Sequence, residues 1–266
     1  MRFADKLATP ELGAALPPAL AAISDFSEQL KKAGISLAVL PVPPKALVQG
    51  DALGISAEEG QKMRAGWNNI ISGLASRGVQ AIDLLPDYTS AKEPAFCLRD
   101  THWSGLGIDL AVARIVPAMQ AVGIAADSTA GNSPAWKDVT IQGDLGGEPE
   151  KVKLRVHQGV APKGPPTSVL LLGDSHVLVF HQGGEMHTTG AGLAEQLSFV
   201  LGSAPEVLGV RGSGATSSRL QLHRRIRSSP DYLSGKKLVV WVFAGREFTE
   251  ADMWKKVPVF PRGGNP

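Results

Sequence analysis

The stretch Thr167-Ser-Val-Leu-Leu-Leu-Gly-Asp-Ser-His176 carries the strongest structural signal in the chain. Residues 168–172 are apolar almost throughout, and Gly173 follows them directly. A short run of consecutive apolar residues is typical of a strand that is buried on both faces of a parallel sheet. We therefore predict a central β-strand here, with a turn at Gly173 that leaves Asp174 and Ser175 at the carboxyl end of the strand.

Four further runs have the same character, and amphipathic stretches separate them. Alternation of short buried strands with longer helical segments favours right-handed crossover connections and a mainly parallel sheet covered on both faces. The sequence thus predicts an α/β fold with a central five-stranded sheet. The predicted strands occupy residues 35–40, 79–84, 168–172, 206–210 and 237–243. The predicted helices occupy residues 17–33, 57–76, 105–122, 191–201 and 215–228.

Residues 123–166 interrupt this alternation with many glycines and prolines. Only 139–141 and 151–156 resemble strands, so we expect an inserted segment that contains a small hairpin. Such a segment is either a lid or binding loop or a solvated excursion with no role. Residues 1–256 are expected to form a single domain around this insertion. Residues 257–266, with three prolines and two glycines, are predicted to be a flexible tail.

The composition excludes several classes of protein. The 266 residues carry 27 Lys and Arg against 25 Asp and Glu, and this net charge of +2 predicts no nucleic-acid partner. No apolar run reaches the about 18 residues that a membrane-spanning helix requires. The first residues include Asp5 and lack an apolar core, so we expect no intact signal peptide, while a processed export signal stays open. The single Cys97 cannot form an internal disulfide.

Ser175 is a candidate nucleophile because of its predicted place in the fold. Open α/β sheets bind their ligands at the carboxyl ends of the strands. A serine that also begins a helix lies near free N–H groups, which suit a developing oxyanion. The alternative is a capping role, in which Asp174 or Ser175 only binds the first amides of the following helix.

A second motif, Asp100-Thr-His102, comes just before the predicted helix 105–122. Residues two apart in an extended segment point to the same side, so this carboxylate and imidazole can share a hydrogen bond. Such a bond fixes the tautomer of the histidine and stabilises the imidazolium that forms when it accepts a serine proton. The alternative is that the two residues only connect a loop to a helix. Together with Ser175, they are the minimum set for Ser–His–Asp chemistry.

The two motifs resemble, in the same order, the catalytic blocks of the alginate O-acetyltransferase AlgX/AlgJ family. The resemblance is carried by Asp100-Thr-His-Trp-Ser-x-x-Gly107 and by Leu171-Leu-Gly-Asp-Ser-His176. Supporting likeness is found in Ile35-Ser-Leu-Ala-Val-Leu-Pro-Val-Pro-Pro-Lys45 and in Trp241-Val-Phe-Ala-Gly-Arg-Glu247. It therefore spans most of the chain, and it implies an SGNH-hydrolase-like three-layer sandwich.

The resemblance also implies a function. Ser175 matches the family's nucleophile, His102 its base and Asp100 its orienting acid. The implied reaction moves an acetyl group through a serine acyl-enzyme onto hydroxyls of an exported polysaccharide, outside the cytoplasm. The implied partners are that polysaccharide and a membrane-embedded protein that supplies the acetyl group, and neither a cofactor nor a metal is expected.

Three other functions stay open. A carbohydrate acetylesterase would use the same three side chains with water as the acceptor. A metallophosphoesterase would use Asp100 and His102 together with the Gly-Asp pairs at 143–144 and 173–174 as metal ligands. A non-catalytic polysaccharide-binding protein can be built on the same fold.

Several residues outside the two motifs are candidates for supporting roles. The amides of Gly212 and Ser213 follow a predicted strand and are candidate oxyanion donors, although an ordinary turn explains them equally well. Arg211 either contacts an anionic sugar or faces solvent. Trp103 and Trp136 are candidate platforms for sugar rings. The histidines without a motif are expected to be surface or capping residues, and they are His157, His181, His187 and His223.

Overall fold

The computed structural model describes residues 5–8, 10–126, 135–157, 167–212, 214–250 and 254–260. Seven strands in this part of the chain form two sheets. The strands are β1 (Ser36–Val42), β2 (Gln80–Ala81), β3 (Ala135–Ile141), β4 (Glu150–Val156), β5 (Val169–Gly173), β6 (Glu206–Gly209) and β7 (Leu238–Ala244).

The larger sheet has five parallel strands in the order β2–β1–β7–β5–β6. Its three central strands consist of consecutive apolar residues, and nearly all of these are buried. Trp241 of β7 pairs with Val39 of β1 on one side and with Leu172 of β5 on the other. This sheet confirms the predicted α/β class and the predicted number of strands.

Helices cover both faces of this sheet. The α-helices are α1 (Pro10–Lys32), α2 (Lys45–Val48), α3 (Ala57–Ala75), α4 (Leu85–Ser90), α5 (Gly105–Ala121), α6 (Leu193–Leu201) and α7 (Ala215–Ser228). Alternation of side chains along each strand divides the core into two layers. On one face, α1, α3 and α7 pack against residues such as Trp241. On the other face, α5 and α6 pack against residues such as Val240. The result is a three-layer sandwich, as predicted.

The second sheet is the predicted hairpin inside the insertion. β3 and β4 pair as antiparallel strands, with Val139 opposite Val152. The buried side chains of Ile141, Val152 and Leu154 join the core layer that contains α5. The hairpin is therefore fixed to the body of the domain by its apolar face. Residues 127–134 and 158–166 of the insertion lie outside the described residues.

Helix α1 begins earlier than the sequence predicts. The prediction placed its start at Pro17, yet the helix runs from Pro10 through Pro17 and Pro18. A proline inside a helix removes one backbone hydrogen bond. Leu12 and Ala15 are nevertheless buried on the face that packs against the sheet, and this burial favours the longer helix.

Two other predictions need correction. The predicted strand 79–84 has only the two residues of β2 in the sheet, because Ile82 already turns toward α4 with its amide bound to the Val39 carbonyl. The predicted flexible tail is partly ordered, because Val257 and Val259 are buried and are held by the side chain of Gln29. Residues 261–266 lie outside the described part. Within the described residues, no helix combines the length and the hydrophobicity needed to cross a bilayer.

Candidate active site

Ser175 lies just beyond the carboxyl end of β5, at the edge of the sheet where ligands of α/β proteins bind. The chain passes through Gly173 and the extended Asp174 before Ser175 begins a single 3-10 turn, Ser175–Val177. A Cβ atom on Gly173 would lie 2.3 Å from the carbonyl oxygen of Val242, so the close strand packing requires glycine there. The expected α-helix after Ser175 is absent from this described segment, and a helix dipole does not act on the serine.

Three side chains form a continuous line of hydrogen bonds at this edge. The Nε2 atom of His102 lies 2.8 Å from the Oγ atom of Ser175. The Nδ1 atom of the same ring lies 2.6 Å from an Oδ1 atom of Asp100. The structure thus brings together the three residues that the two sequence motifs singled out. This arrangement suits proton transfer from the serine to the imidazole, with the carboxylate fixing the tautomer.

Asp100 accepts more than one hydrogen bond at each of its oxygens. Its Oδ1 atom accepts from the backbone amide and the Nδ1 atom of His102, at 2.8 and 2.6 Å. Its Oδ2 atom accepts from the amide of Asp144 at 3.1 Å and faces Nε2 of His187 at 2.9 Å. Burial alone would raise the pKa of Asp100, but the hydrogen bonds and charge of His102, with the Asp144 amide, hold that pKa well below its usual range. The carboxylate is therefore ionised at neutral pH.

The loop 97–102 that carries these residues is anchored from two sides. From β1, the ammonium of Lys45 donates to the carbonyl oxygens of Cys97, Leu98 and Asp100 at 2.6, 2.7 and 3.0 Å. These three acceptors match the three donors of a lysine. Burial lowers the pKa of Lys45, and nearby acidic groups partly oppose that shift.

The hairpin anchors the same loop from the other side. The carboxylate of Glu150 accepts from the amides of Leu98 and Arg99 at 2.8 and 2.7 Å. The carboxylate of Asp144 accepts from the amide of Thr101 at 2.7 Å and from its hydroxyl. The described part of the insertion therefore braces the loop that holds Asp100.

His176, directly after Ser175, forms part of the floor of the site. Its amide and its Nδ1 atom both lie 2.9 Å from Oδ1 of Asp174, whose Oδ2 accepts from the amide of Ala244 at 2.7 Å. Burial would raise the pKa of Asp174, but the charge and hydrogen bonds of His176 hold it below its usual value. The ring of His176 lies between those of His102 and Trp103, with centroids 5.1 and 5.3 Å away. This stacking sets the position of the His102 ring.

A cavity of about 420 Å³ opens beside Ser175 and His102. This volume lies within the range of about 300–1,000 Å³ that is usual for small-molecule sites. One wall is apolar and comes from the segments after β1 and from the catalytic loop and hairpin turn. The apolar lining residues are Pro44, Ala46, Leu53, Ile55, Phe96 and Leu145.

The remaining predicted site residues lie elsewhere. Trp103 is 0% exposed and packs in the core between α5 and the hairpin, so it cannot be a sugar platform, contrary to the prediction. Trp136 is 50% exposed and lines a separate groove of about 790 Å³ with Lys151 and Lys153. The role of Trp136 stays a prediction.

The loop after β6 does not reach the cavity in its described part. Neither Arg211 nor Gly212 is among the residues that line the space beside Ser175. Arg211 instead forms a surface ion pair with Glu185. Ser213 lies outside the described residues. The structure therefore gives no support to an oxyanion donor at Gly212 or to a sugar contact by Arg211.

His187 is a site residue that the sequence reasoning missed. It was expected at the surface, yet its side chain is only 10% exposed and reaches Asp100. No motif surrounds it, and the contact depends on a loop whose fold the sequence does not announce. The adjacent Gly183 and Gly184, which mark a tight turn close to this histidine, were the available signal.

The metal-site hypothesis finds only part of its ligand set. Ligand atoms of Asp100, His102 and Asp144 lie within 4.8 Å of one another. The carboxylates of Asp100 and Asp144 already accept hydrogen bonds from the loop and from the two histidines. Asp174, which the hypothesis also needs, binds His176 and the Ala244 amide instead. The donor set is thus organised as a hydrogen-bond network around a carboxylate.

Comparisons with known proteins agree with this fold and site. A family model described as SGNH hydrolase-like domain, acetyltransferase AlgX, matches residues 3–244. The O-acetyltransferase domain of Pseudomonas putida AlgJ is 20% identical, with a TM-score of 0.68 over 96% of this chain and 89% of that chain. Pseudomonas aeruginosa AlgX is 15% identical, with a TM-score of 0.61 over 89% of this chain and 59% of that chain.

A third solved structure and a sequence search complete the comparison. Bacillus cereus PatB1 is 14% identical, with a TM-score of 0.54 over 93% of each chain. At such identities the structural likeness establishes the fold. A search of curated protein sequences gives no significant match.

Proposed function

Because this chain belongs to the family of SGNH hydrolase-like domains of the AlgX acetyltransferase type, we propose that it acetylates hydroxyls of an exported polysaccharide through a Ser175 acyl-enzyme. Family membership confirms the resemblance predicted from the two motifs and makes the chain an acetyltransferase-type enzyme. The observation that carries the serine mechanism is the line of hydrogen bonds from Ser175 through His102 to Asp100, with contacts of 2.8 and 2.6 Å.

The first half of the reaction forms the acyl-enzyme. His102 takes the proton of the Ser175 hydroxyl, and the Oγ atom attacks the carbonyl carbon of an acetyl ester. The donor's ester C–O bond breaks, and the imidazolium returns the proton to the departing oxygen. Asp100 stabilises the imidazolium between these two transfers because its carboxylate is buried, ionised and hydrogen-bonded to Nδ1.

The second half moves the acetyl group to the acceptor. A sugar hydroxyl enters where the donor alcohol left, gives its proton to the now neutral His102 and attacks the acyl carbon. The bond from Oγ to the acyl carbon then breaks, and Ser175 recovers its proton. Water at the same position would release acetate, which is the acetylesterase alternative, so the acceptor that occupies the cavity decides between the two outcomes.

The oxyanion formed in each half needs N–H donors. We assign one of them to the amide of Ser175 itself, which begins the 3-10 turn and has no acceptor among the described residues. Arg246 and Gly245, which follow β7, line the same cavity and contribute its polar rim.

The cellular setting follows from the family. We propose an extracytoplasmic location, with a polysaccharide as acceptor and a membrane-embedded protein as the source of acetyl groups. The printed name of the AlgJ relative, an O-acetyltransferase domain, supports transfer to a hydroxyl. The cavity has the size expected for a small-molecule site, which is compatible with an acetyl ester and the end of a sugar chain.

Intact-protein mass spectrometry after exposure to an activated acetyl ester tests the proposal. We expect a mass gain of one acetyl group, located on Ser175 by peptide mapping and lost in Ser175→Ala. The exposed Ser76→Ala serves as a matched control that keeps the gain. Adding an oligosaccharide should then remove the acetyl group and acetylate the sugar, whereas release of free acetate alone would favour the esterase. An adduct that persists in Ser175→Ala would refute the proposed nucleophile.

A further inference from the structure

A compact loop, residues 180–192, brings a second histidine to the site. Two of its residues, Phe180 and His187, have φ angles of 58° and 70°, and they are the positive-φ residues other than glycine in the described chain. Positive φ is unfavourable for residues with a Cβ atom and persists where the surrounding structure holds it. Such residues cluster at functional sites, so this pair marks the loop for closer inspection.

The loop is closed by its own backbone. The amide of Phe180 donates to the carbonyl of Met186 at 2.9 Å, and the amide of Ala191 donates to the carbonyl of Phe180 at 3.0 Å. The amide of His187 donates to the carbonyl of Gly184 at 2.9 Å. The rings of Phe180 and His187 lie against each other, with centroids 5.6 Å apart. These contacts fix the direction of the His187 side chain.

That direction leads to Asp100. The Nε2 atom of His187 lies 2.9 Å from Oδ2 of Asp100, the oxygen that His102 does not use. The side chains of His187 and Asp100 are 10% and 1% exposed, so water competes little for this hydrogen bond. With a ring nitrogen at each oxygen, the carboxylate cannot rotate without losing one of its two partners.

We propose that His187 is a positioning residue that holds the Asp100 carboxylate in the plane required by His102. This inference rests on the proposed function, since it concerns the same proton transfer. His187 does not touch the reacting atoms. Its Nε2–H donates to Oδ2, and this contact keeps Oδ1 aimed at Nδ1 of His102. The strained backbone of the loop is maintained because it delivers this donor.

Paired substitutions separate this role from ordinary packing. His187→Phe keeps a ring against Phe180 and removes the donor, whereas His187→Gln keeps an N–H donor at similar reach. With an activated acetyl ester as substrate, we expect His187→Phe to lower kcat about 10- to 100-fold at unchanged KM, as small misplacements of catalytic groups do. His187→Gln should restore kcat to within about threefold of the unmodified enzyme. His181→Phe, in the same loop but bound to Glu195, is the matched control and should keep kcat.

A double-mutant cycle with Asp100 gives the decisive readout. If His187 acts through this carboxylate, His187→Phe should change kcat less than about twofold in an Asp100→Asn background, because the two losses are not additive. Thermal unfolding shows whether each variant is folded. A wild-type kcat in His187→Phe, equal losses in His187→Phe and His187→Gln, or full additivity with Asp100→Asn would each overturn the inference. An unmodified enzyme that forms no acyl adduct would instead overturn the proposed function.

Discussion

The ammonium of Lys45 lies 2.6 Å from the carbonyl oxygen of Cys97, and this contact ties the end of a central strand to the loop that carries Asp100 and His102. Strand β1 is buried along most of its length, so its end is a rigid point. The lysine also reaches the carbonyls of Leu98 and Asp100. The position of the catalytic loop is therefore fixed from the sheet itself.

Replacing Lys45 by Met should loosen this loop. The change removes three hydrogen bonds from a charged donor and leaves three carbonyls without it, so we expect a loss of about 2–3 kcal/mol in the free energy of unfolding. Activity on an activated ester should fall about tenfold or more through misplacement of His102. Urea unfolding and steady-state kinetics measure both effects. Lys237→Met, which alters an exposed lysine, should change neither quantity, and an equal effect there would refute the anchor.

Asp100→Asn tests the orienting carboxylate. The amide has nearly the same shape but no charge, so it neither fixes the tautomer of His102 nor stabilises the imidazolium. We expect kcat for acetyl-ester turnover to fall by about 10³- to 10⁴-fold, as at related Ser–His–Asp sites. Circular dichroism should show an unchanged fold. Activity within a few-fold of the unmodified enzyme would mean that His102 does not depend on this carboxylate.

Glu150→Gln tests whether the hairpin braces the catalytic loop. The Glu150 carboxylate accepts two amide hydrogen bonds from Leu98 and Arg99, and a neutral side chain accepts these bonds more weakly. We expect kcat to fall about 3- to 10-fold, which corresponds to about 1 kcal/mol. Glu148→Gln, in the exposed turn of the same hairpin, provides the control. Equal kinetics in the two variants would show that the hairpin does not support the loop.

Asp174→Ala tests the floor of the site. Asp174 is buried and accepts hydrogen bonds from His176 and the Ala244 amide, which would lose their partner. We expect the free energy of unfolding to fall by about 3 kcal/mol, because breaking a buried pair leaves its remaining polar groups unsatisfied. Chemical denaturation of this variant and of the exposed Asp231→Ala measures the difference. A variant as stable as the Asp231→Ala control would contradict the assigned role.

The two buried carboxylates also predict how stability depends on pH. The pKa values of Asp100 and Asp174 are both lower in the folded chain than the usual value of about 3.9. Groups with a lowered pKa stabilise the fold above their unfolded pKa and lose that contribution as the pH falls through the folded value. Urea midpoints should therefore hold steady from pH 7 to about 5 and decline below about 4. Asp174→Ala should show a shallower decline, and an equally steep one would exclude Asp174 as a cause.

The main architecture was predictable because its signal is local. β1, β5 and β7 are runs of consecutive apolar residues, and such runs have few alternatives to a buried strand. Ser175, His102 and Asp100 were found for the same reason, since each lies in a short motif next to a predicted element. The flanking helices followed from their periodic apolar residues.

The errors concern features that depend on distant parts of the chain. Trp103 looked available for ligand beside the motif, but the hairpin and α5 cover it completely. His187 looked unremarkable because its contact with Asp100 joins residues that are 87 positions apart. Val259 looked like a loose end, yet it binds Gln29 of α1, 230 positions earlier. A single sequence shows the composition of these segments but not the surfaces against which they pack.

Cys97 offers a built-in chemical reporter for the catalytic loop. It is the chain's only thiol, its Sγ–H lies 3.4 Å from the Trp103 carbonyl oxygen, and burial raises its pKa above the usual value. A buried thiol of this kind reacts with an alkylating reagent only after the surrounding segment opens. The alkylation rate under native conditions therefore measures how often the loop between Lys45 and Glu150 detaches, without any engineered label.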